Sequence, residues 1–199
     1  MIDPNSIQCA KEIWATSEGS GLSGAGTKDS PFRLAGNLDF LGAMLGPSLR
    51  LHLAPGIYRT RGIKLPPVFV AGDDGIRNVT IQLADNSVNV AGALRMFQDI
   101  NWNRYFCING WTLDGNWANQ LAAQSGNFKV EPIAVKTIIG QVRGCRLINW
   151  GSSSAAYPDS GKLEAFPLSL ATFASGDFAL YDSRYNGLKD LEPSPSLLE

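Results

Sequence analysis

A cluster of glycines followed by a lysine, GLSGAGTK at residues 21–28, is the first stretch whose residue types could do chemistry. In nucleotide-binding proteins such glycines lie between a buried strand and a helix, whose N-terminal amides hold the phosphates. Here Asp29, Ser30 and Pro31 follow Lys28, and they predict a turn in place of a helix. The glycine spacing also fits neither common glycine fingerprint. The sequence therefore predicts a glycine-rich surface turn and not a nucleotide site.

The single histidine and the three cysteines carry no recognisable catalytic or metal-binding motif. His52 lies in the alternating run LRLHLAPG, where Leu51 and Leu53 would share one face of a strand and His52 would take the other. No nucleophile-elbow motif accompanies His52, so a structural role is favoured over a catalytic triad. The number and spacing of the cysteines predict neither a disulfide framework nor a bound metal. The cysteines are Cys9, Cys107 and Cys145.

Four charged residues are the candidates for catalysis, because carboxylates and amines can transfer protons or hold a cation. Asp114, in TLDGN, lies where a predicted strand ends at a corner, although Asp-Gly is also a common turn pair. Glu131 and Glu164 each precede a predicted strand, on loops that could share one side of the molecule. Lys136, like Arg95, lies within a predicted strand and could meet an acidic sugar if it points outward. Turns and solvated charges are the favoured interpretation of this set.

Four aromatic residues in predicted corners and loops are the candidates for carbohydrate binding: Trp102, Trp117, Trp150 and Tyr157. A row of exposed aromatic faces would give sugar rings a surface on which to stack. The alternative is that these side chains cover the edges of the core, since Trp is highly buried on average. The segment 117–132 is the longest insertion between the predicted repeats, and insertions of this kind often lie on a binding face.

Composition restricts the class of partner. The chain has 199 residues, with 17 basic and 18 acidic side chains that form no basic run, so a nucleic-acid partner is not expected. No apolar run is long enough to span a membrane, and no leader is recognisable at the N-terminus. The length suits one domain with a sizeable core.

Four short segments repeat along the chain at starts that differ by 32, 34 and 36 residues. Each opens with an apolar residue and continues into a short alternating strand, which is the period-two signature of a half-buried strand. The segments are IRNVTI from Ile76, INGWTL from Ile108, VRGCRL from Val142 and FALYDS from Phe178. The predicted inward pairs are Val79 and Ile81, Trp111 and Leu113, Cys145 and Leu147, and Tyr181 and Ser183; the predicted outward residues are Thr80, Thr112, Arg146 and Asp182.

A second strand-like run precedes each later segment, and a turn containing Asn follows it, with Asn116, Asn149 and Asn186 predicted to form hydrogen bonds at stacked corners. Strand, corner, strand, corner and loop describe one rung of a β-solenoid. A TPR array needs two amphipathic helices in each unit, which the β-branched residues, glycines and prolines disfavour. A β-propeller needs hairpin turns that are not evident, so it is the weaker alternative.

One helix is predicted ahead of the repeats. In NLDFLGAML, Asn37 is a suitable N-cap, and Leu38, Leu41 and Leu45 fall on one face. Gly46 and a following proline end the helix. The first rung of a solenoid exposes an apolar core and unpaired strand groups, so a short capping helix is expected there.

The opening half of the chain resembles right-handed parallel β-helix proteins of the pectin-lyase-like group. The resemblance lies in GAGTKDSPFRLAG, the helix after it, LHLAPGIYRTRGIKLP and VTIQLAD, and in pattern it extends over residues 13–187. It implies an all-β, right-handed parallel β-helix of about four to five rungs with a short N-terminal capping helix. The expected divisions are a lead-in at 1–36, the capping helix at 37–46, the β-helix at 47–187 and a tail at 188–199.

The resemblance implies polysaccharide as the partner and an extracellular or periplasmic location. Lyases of the group use calcium held by carboxylates, and its hydrolases use paired aspartates, but neither motif is found here. The first expectation is therefore a short carbohydrate-binding or structural β-helix without a cofactor, which self-associates through its open C-terminal rung. The alternative is a lyase or hydrolase of acidic polysaccharide, with calcium as a possible ion for a lyase.

Overall fold

The computed structural model describes residues 3–44, 46–72, 78–87, 93–99, 103–121, 129–150, 168–181 and 184–186. These residues are mostly β-strand, with parallel sheets and three short 3-10 helices, η1 to η3. The helices are η1 (Pro4–Ser6), η2 (Leu38–Met44) and η3 (Trp117–Asn119). The strands are β1 (Lys11–Thr16), β2 (Phe32–Arg33), β3 (Ser48–Leu53), β4 (Gly56–Thr60), β5 (Ile63–Leu65), β6 (Val68–Ala71), β7 (Val79–Leu83), β8 (Ala93–Asp99), β9 (Asn103–Asn109), β10 (Trp111–Asp114), β11 (Lys129–Arg143), β12 (Arg146–Ile148), β13 (Leu168–Tyr181) and β14 (Arg184–Asn186).

All pairings between these strands are parallel, and they fall into three lines. The first line runs β5–β8–β11–β13, and the second runs β2–β1–β3–β6–β9–β11–β13. The third line, β4–β7–β10–β12–β14, is a separate five-stranded sheet. From β3 onward, the chain visits the second line, then the third, then the first, and repeats this order. The long strands β11 and β13 are exceptions, because each of them contributes to both the first and the second line.

The register of the third line follows the repeats that the sequence predicts. Trp111 pairs with Val79, and Leu113 pairs with Ile81 on one side and with Leu147 on the other. These apolar residues are buried, Arg146 is exposed and Thr80 is half-buried, as the alternation predicts. Thr112 is the exception: it lies in the outward row, but its exposed fraction is only 8%.

The fourth repeat is displaced from its predicted register. Leu147 pairs with Tyr185, two residues beyond the predicted Ser183. The reason is an irregularity between β11 and β13: Thr137 pairs with Thr172, but Ile139 pairs with Asp177. Because β13 has extra residues at this point, each later residue of β11 and β12 pairs with a residue further along the chain than the repeat predicts. The predicted inward pair of Tyr181 and Ser183 is therefore wrong in register.

Apolar side chains from all three lines meet in one core. Phe69 and Phe106 are register neighbours whose rings stack at a centroid distance of 6.2 Å, and Phe97 lies 6.2 Å from Phe69. Phe97 also lies 6.5 Å from Trp111, so the core connects the first line to the third. A second, smaller cluster packs Val70, Tyr105 and Cys107 on the opposite side of the second line.

The helix before the repeats is present, as a 3-10 helix. The side chain of Asn37 accepts a hydrogen bond from the Asp39 amide at 3.0 Å, which satisfies one amide of the first turn. Leu38 and Leu41 are buried, because three residues per turn place positions three apart on one face. Leu45, the third predicted apolar residue, lies outside the described residues.

Turns occur where the glycines predict them. Gly24 and Gly26 both have positive φ, the amides of Ala25 and Thr27 donate to Ser30 O, and β2 follows; this is the predicted glycine-rich turn. At the corner between the second and third lines, Gly110 and Gly144 take left-handed φ angles of 72° and 55°. Gly110 N donates to Arg143 O at 2.8 Å, so this tight corner is repeated in adjacent turns of the chain.

Truncating the third-line core should weaken the fold. Leu113 is 0% exposed and lies between Ile81 and Leu147, so we expect Leu113→Ala to lower the free energy of unfolding by about 2–5 kcal/mol. The control is Ile57→Ala, because Ile57 lies in the same sheet but is 58% exposed. Urea denaturation checks the prediction, and equal losses for the two variants would contradict this assignment of the two faces.

The cysteines should differ in reactivity. Burial raises the pKa of the Cys107 thiol from 9.0 to about 12, so at pH 8 almost no reactive thiolate forms there. The buried protonated thiol stabilises the fold below pH 9, and this contribution is lost as the pH rises towards 12.

We expect a maleimide at pH 8 to label half-buried Cys9 quickly, and buried Cys107 and Cys145 only in urea. Mass spectrometry identifies the labelled residue; equally fast labelling of Cys107 would contradict the prediction.

Candidate functional site

The outer surface of the third line presents side chains in two parallel rows, which we call the third-line face. Because neighbouring residues of a strand point to opposite sides, the residues between the buried ones point outward. Strand register aligns these outward residues from β4 to β12. One row is Ile57, Thr80, Thr112 and Arg146, and the other is Arg59, Gln82, Asp114 and Ile148.

A chain of hydrogen bonds runs along the second row. Arg59 Nε donates to Gln82 Oε1 at 3.3 Å, and Gln82 Nε2 donates to Asp114 Oδ2 at 2.9 Å. The other oxygen of Asp114 accepts from the backbone amide of Asn116 at 2.9 Å and from Asn149 Nδ2 at 3.0 Å. Both oxygens of this 7% exposed carboxylate are therefore engaged in holding the corner.

The two asparagines beside Asp114 form the corner that ends these strands. Asn116 and Asn149 have left-handed φ angles of 51° and 55°, which Asn tolerates better than most residues. Asn116 Nδ2 donates to Leu83 O at 3.0 Å and to Asp85 Oδ1 at 2.9 Å. The predicted stacked-corner role of Asn116 and Asn149 is confirmed by these contacts, and the side chain of Asn186 lies outside the described ones.

The catalytic candidates are distributed over different lines. Asp114 lies on the third line, whereas Glu131 lies within β11, where its backbone pairs with Arg95 on the first line. Glu131 was expected on a loop, but β11 already begins at Lys129, so that placement is wrong. Lys136 is in the same strand and pairs with Ala171. Glu164 lies outside the described residues.

The two aromatic candidates that the structure describes, Trp117 and Trp150, do not form an exposed row. Trp150 is only 2% exposed, and its Nε1 donates to Leu113 O at 3.0 Å. A Cβ on Gly115 would come within 2.6 Å of the Trp150 ring, so this indole fills the space that the glycine leaves and offers no face to a sugar. Trp117 is half-buried at the start of η3 and packs against the core. Trp102 and Tyr157 lie outside the described residues.

An aromatic pair elsewhere is not among the sequence candidates. The rings of Trp14 and His52 stack at 3.8 Å with an interplanar angle of 7°, and Lys28 Nζ lies 5.7 Å from the Trp14 ring centroid. His52 does point away from buried Leu51 and Leu53, as predicted. The alternation of KEIWAT places Trp14 on the same outward side, and this is the signal that could have identified the pair.

The charge of the third-line face favours an anionic ligand. Arg59 and Arg146 are exposed, and Asp114 is the single carboxylate among the described residues of the two rows. Because that carboxylate is already satisfied by three donors, the guanidinium groups are the charges that a ligand would meet. Thr80 and Gln82 add a hydroxyl and an amide between them.

Similarity searches and structural features give few further constraints. No protein-family model, curated protein or solved structure matches the chain. In the part of the chain that the structure describes, no group of three or more His, Cys, Asp or Glu side chains could hold a metal ion. Within the same residues, no helix is long and apolar enough to cross a membrane.

Two substitutions of Asn116 should separate the contribution of its left-handed backbone to stability from the contribution of its side-chain hydrogen bonds. Asn116→Ala loses three side-chain hydrogen bonds, two donated by Nδ2 and one accepted by Oδ1 from Asn119, and places Ala in a left-handed conformation. We therefore expect a loss of about 2–4 kcal/mol in the free energy of unfolding. Asn116→Gly keeps the conformation and should lose about half as much. Urea denaturation checks both, and equal losses for Ala and Gly would show that the left-handed backbone contributes nothing.

Proposed function

We propose that this protein is a short, right-handed parallel β-helix related to the pectin-lyase-like group, and that it binds a linear acidic polysaccharide without cleaving it. The binding surface in this proposal is the third-line face. The observation that carries it is the fixed row of Arg59, Gln82 and Asp114, with exposed Arg146 in the adjacent row.

The cyclic order of the strands supports a β-helix. Each circuit from the second line to the third and then the first advances the chain by one strand spacing, about 4.8 Å, which is the geometry of a coil. The stacked left-handed corners at Gly110 and Gly144 recur in successive circuits. The buried leucines of η2 lie beside β4 and β5, at the end where a capping helix is expected.

The physical character of the third-line face supports binding to a polymer. Strand pairing repeats its polar groups at even intervals, so a linear chain of sugars can meet several of them at once. Hydrogen bonds from Arg59 to Gln82 and from Gln82 to Asp114 hold Gln82 in place before a ligand arrives, which reduces the entropy cost of binding. Arginine pairs well with carboxylates, the charged groups of acidic sugars.

Binding without cleavage is the better-supported mode on this face. Glycoside hydrolysis needs two carboxyl groups on either side of the bond that breaks. Asp114 is the single described carboxylate of the two rows, and its oxygens accept three hydrogen bonds that maintain the corner. An enzyme remains the second candidate, on the first line, because Glu131 pairs with Arg95 and Lys136 follows on the same strand. For a lyase, the family resemblance would add calcium.

Self-association through the C-terminal end is part of the proposal. Among the described residues, β14 ends the five-stranded sheet and pairs with β12 alone. An unpaired strand edge is a template for another strand, either from the same chain or from a second copy. Sedimentation velocity tests this part: a monomer at all concentrations would overturn the proposed homo-oligomer and leave the binding proposal intact.

Affinity electrophoresis tests polysaccharide binding. We expect gels containing polygalacturonate or alginate, but not dextran, to retard the protein, and added salt to reduce the retardation. Arg146→Ala and Arg59→Ala should each weaken the interaction about three- to fivefold, as expected for one exposed ion pair. Arg104→Ala is the matched control, because Arg104 is exposed on β9, which belongs to the second line.

Assays for new reducing ends and unsaturated products, with and without calcium, accompany the gels. Retardation without products supports the proposal. Turnover would favour the enzyme, and Glu131→Gln and Lys136→Gln would then be the variants to measure. The absence of retardation in every gel would overturn carbohydrate binding by this protein.

A further inference from the structure

A cavity of about 290 Å³ lies beneath η2, between that helix and strands β3, β5 and β6. It belongs to the first and second lines and shares no residue with the third-line face. We infer that it is a second binding site, for a small carboxylate that carries an apolar tail. The apolar residues of its wall are Leu38, Leu41, Leu51, Ile63 and Phe69.

The walls form a preorganised apolar surface. Each of those five side chains is at most 7% exposed, and Phe69 is held by stacking against Phe106. Binding sites for small molecules are typically apolar cavities with a few placed polar groups. The cavity volume lies just below the usual range for such sites, about 300–1,000 Å³, so the occupant should be small.

The polar lining of this cavity favours an anion. Lys64 and Arg61 are the two basic residues of the lining, and Asp39 is its one acidic residue. That carboxylate is already engaged: Asp39 Oδ1 accepts from the Thr60 hydroxyl at 2.6 Å and from Arg61 N at 3.0 Å, and Oδ2 lies 3.2 Å from the same amide. A ligand carboxylate therefore meets an excess of positive charge beside an apolar cavity, whereas an amine or a neutral head group gains no such attraction.

Gly42 marks a side of the cavity that can be closed by mutation. It lines the cavity, and a Cβ built on it meets no atom within 4 Å. Its backbone has no left-handed φ, so a larger residue is tolerated without strain. Gly42→Leu should therefore fill the opening while the fold is retained. Gly21 also has open space around a Cβ, but it does not line the cavity, so Gly21→Leu is the matched control.

Octanoate is a suitable probe, because it combines one carboxylate with a short apolar tail. Isothermal titration or saturation-transfer NMR on the full chain should detect octanoate binding, with binding of 1-octanol and octylamine at least fivefold weaker. Gly42→Leu should weaken octanoate binding more than tenfold, and Gly21→Leu should leave it unchanged. Circular dichroism and thermal melting establish that both variants keep the fold.

Lys64→Gln tests the charge separately from the shape. It should weaken octanoate binding about three- to fivefold, the size expected for one partly exposed ion pair, and leave the binding of 1-octanol unchanged. Lys28→Gln is the control, because Lys28 lies beside Trp14 and not at the cavity. The inference is overturned if octanoate does not bind, if folded Gly42→Leu binds it as tightly as the parent chain, or if 1-octanol matches octanoate and Lys64→Gln has no effect.

Discussion

The rest of the structure depends on parallel strands that pair in register around shared apolar columns. Tyr58, Ile81, Leu113 and Leu147 occupy equivalent positions on four strands of the third line, and all are buried. A slip of one residue in any of these strands would turn its buried side chains towards solvent. Burial of the column therefore fixes the register, and the register in turn aligns the outward rows that form the third-line face.

The corners convert this register into a defined surface. Asp114 is the last residue of β10. Its side chain accepts hydrogen bonds from Gln82 on the neighbouring strand β7 and from Asn149, which follows the other neighbouring strand, β12. The same contacts satisfy buried polar groups and orient the side chains that a ligand would meet. Under the proposed function, one polar network would serve both structure and binding. Such networks are costly to disturb, because an unpaired buried group is poorly solvated.

Local sequence pattern predicts the strands well, because alternation is a property of a few consecutive residues. The alternation within VTIQL and within WTLD is enough to predict each strand, and their pairing follows from the spacing of 32 residues between the first two repeats. The register of the fourth repeat could not be obtained in this way, since the extra residues between Thr172 and Asp177 interrupt the repeat inside a strand. The start of β11 at Lys129, which places Glu131 in a strand, depends on pairing with β8.

The sites were harder to predict than the strands. Trp150 is in a corner, as its neighbours in sequence indicate, but its burial depends on Gly115 from the preceding circuit, which leaves room for the ring. The position of Asp114 at a strand end was evident, whereas two of its three hydrogen bonds come from residues more than thirty positions away, Gln82 and Asn149. The cavity beneath η2 is made by elements on two lines, and no single stretch of sequence encodes it.

The tight corner at Gly110 and Gly144 has a consequence for how the protein can diversify. One circuit leaves the second line through Gly110 and the next leaves it through Gly144, with almost no spare chain. By contrast, the segments after the third line lengthen from β7 to β12: residues 84–92, 115–128 and 149–167. Longer loops add little closure entropy. Residues can therefore be added to the chain between the third and the first line, whereas the corner at Gly110 and Gly144 has almost no residues to spare.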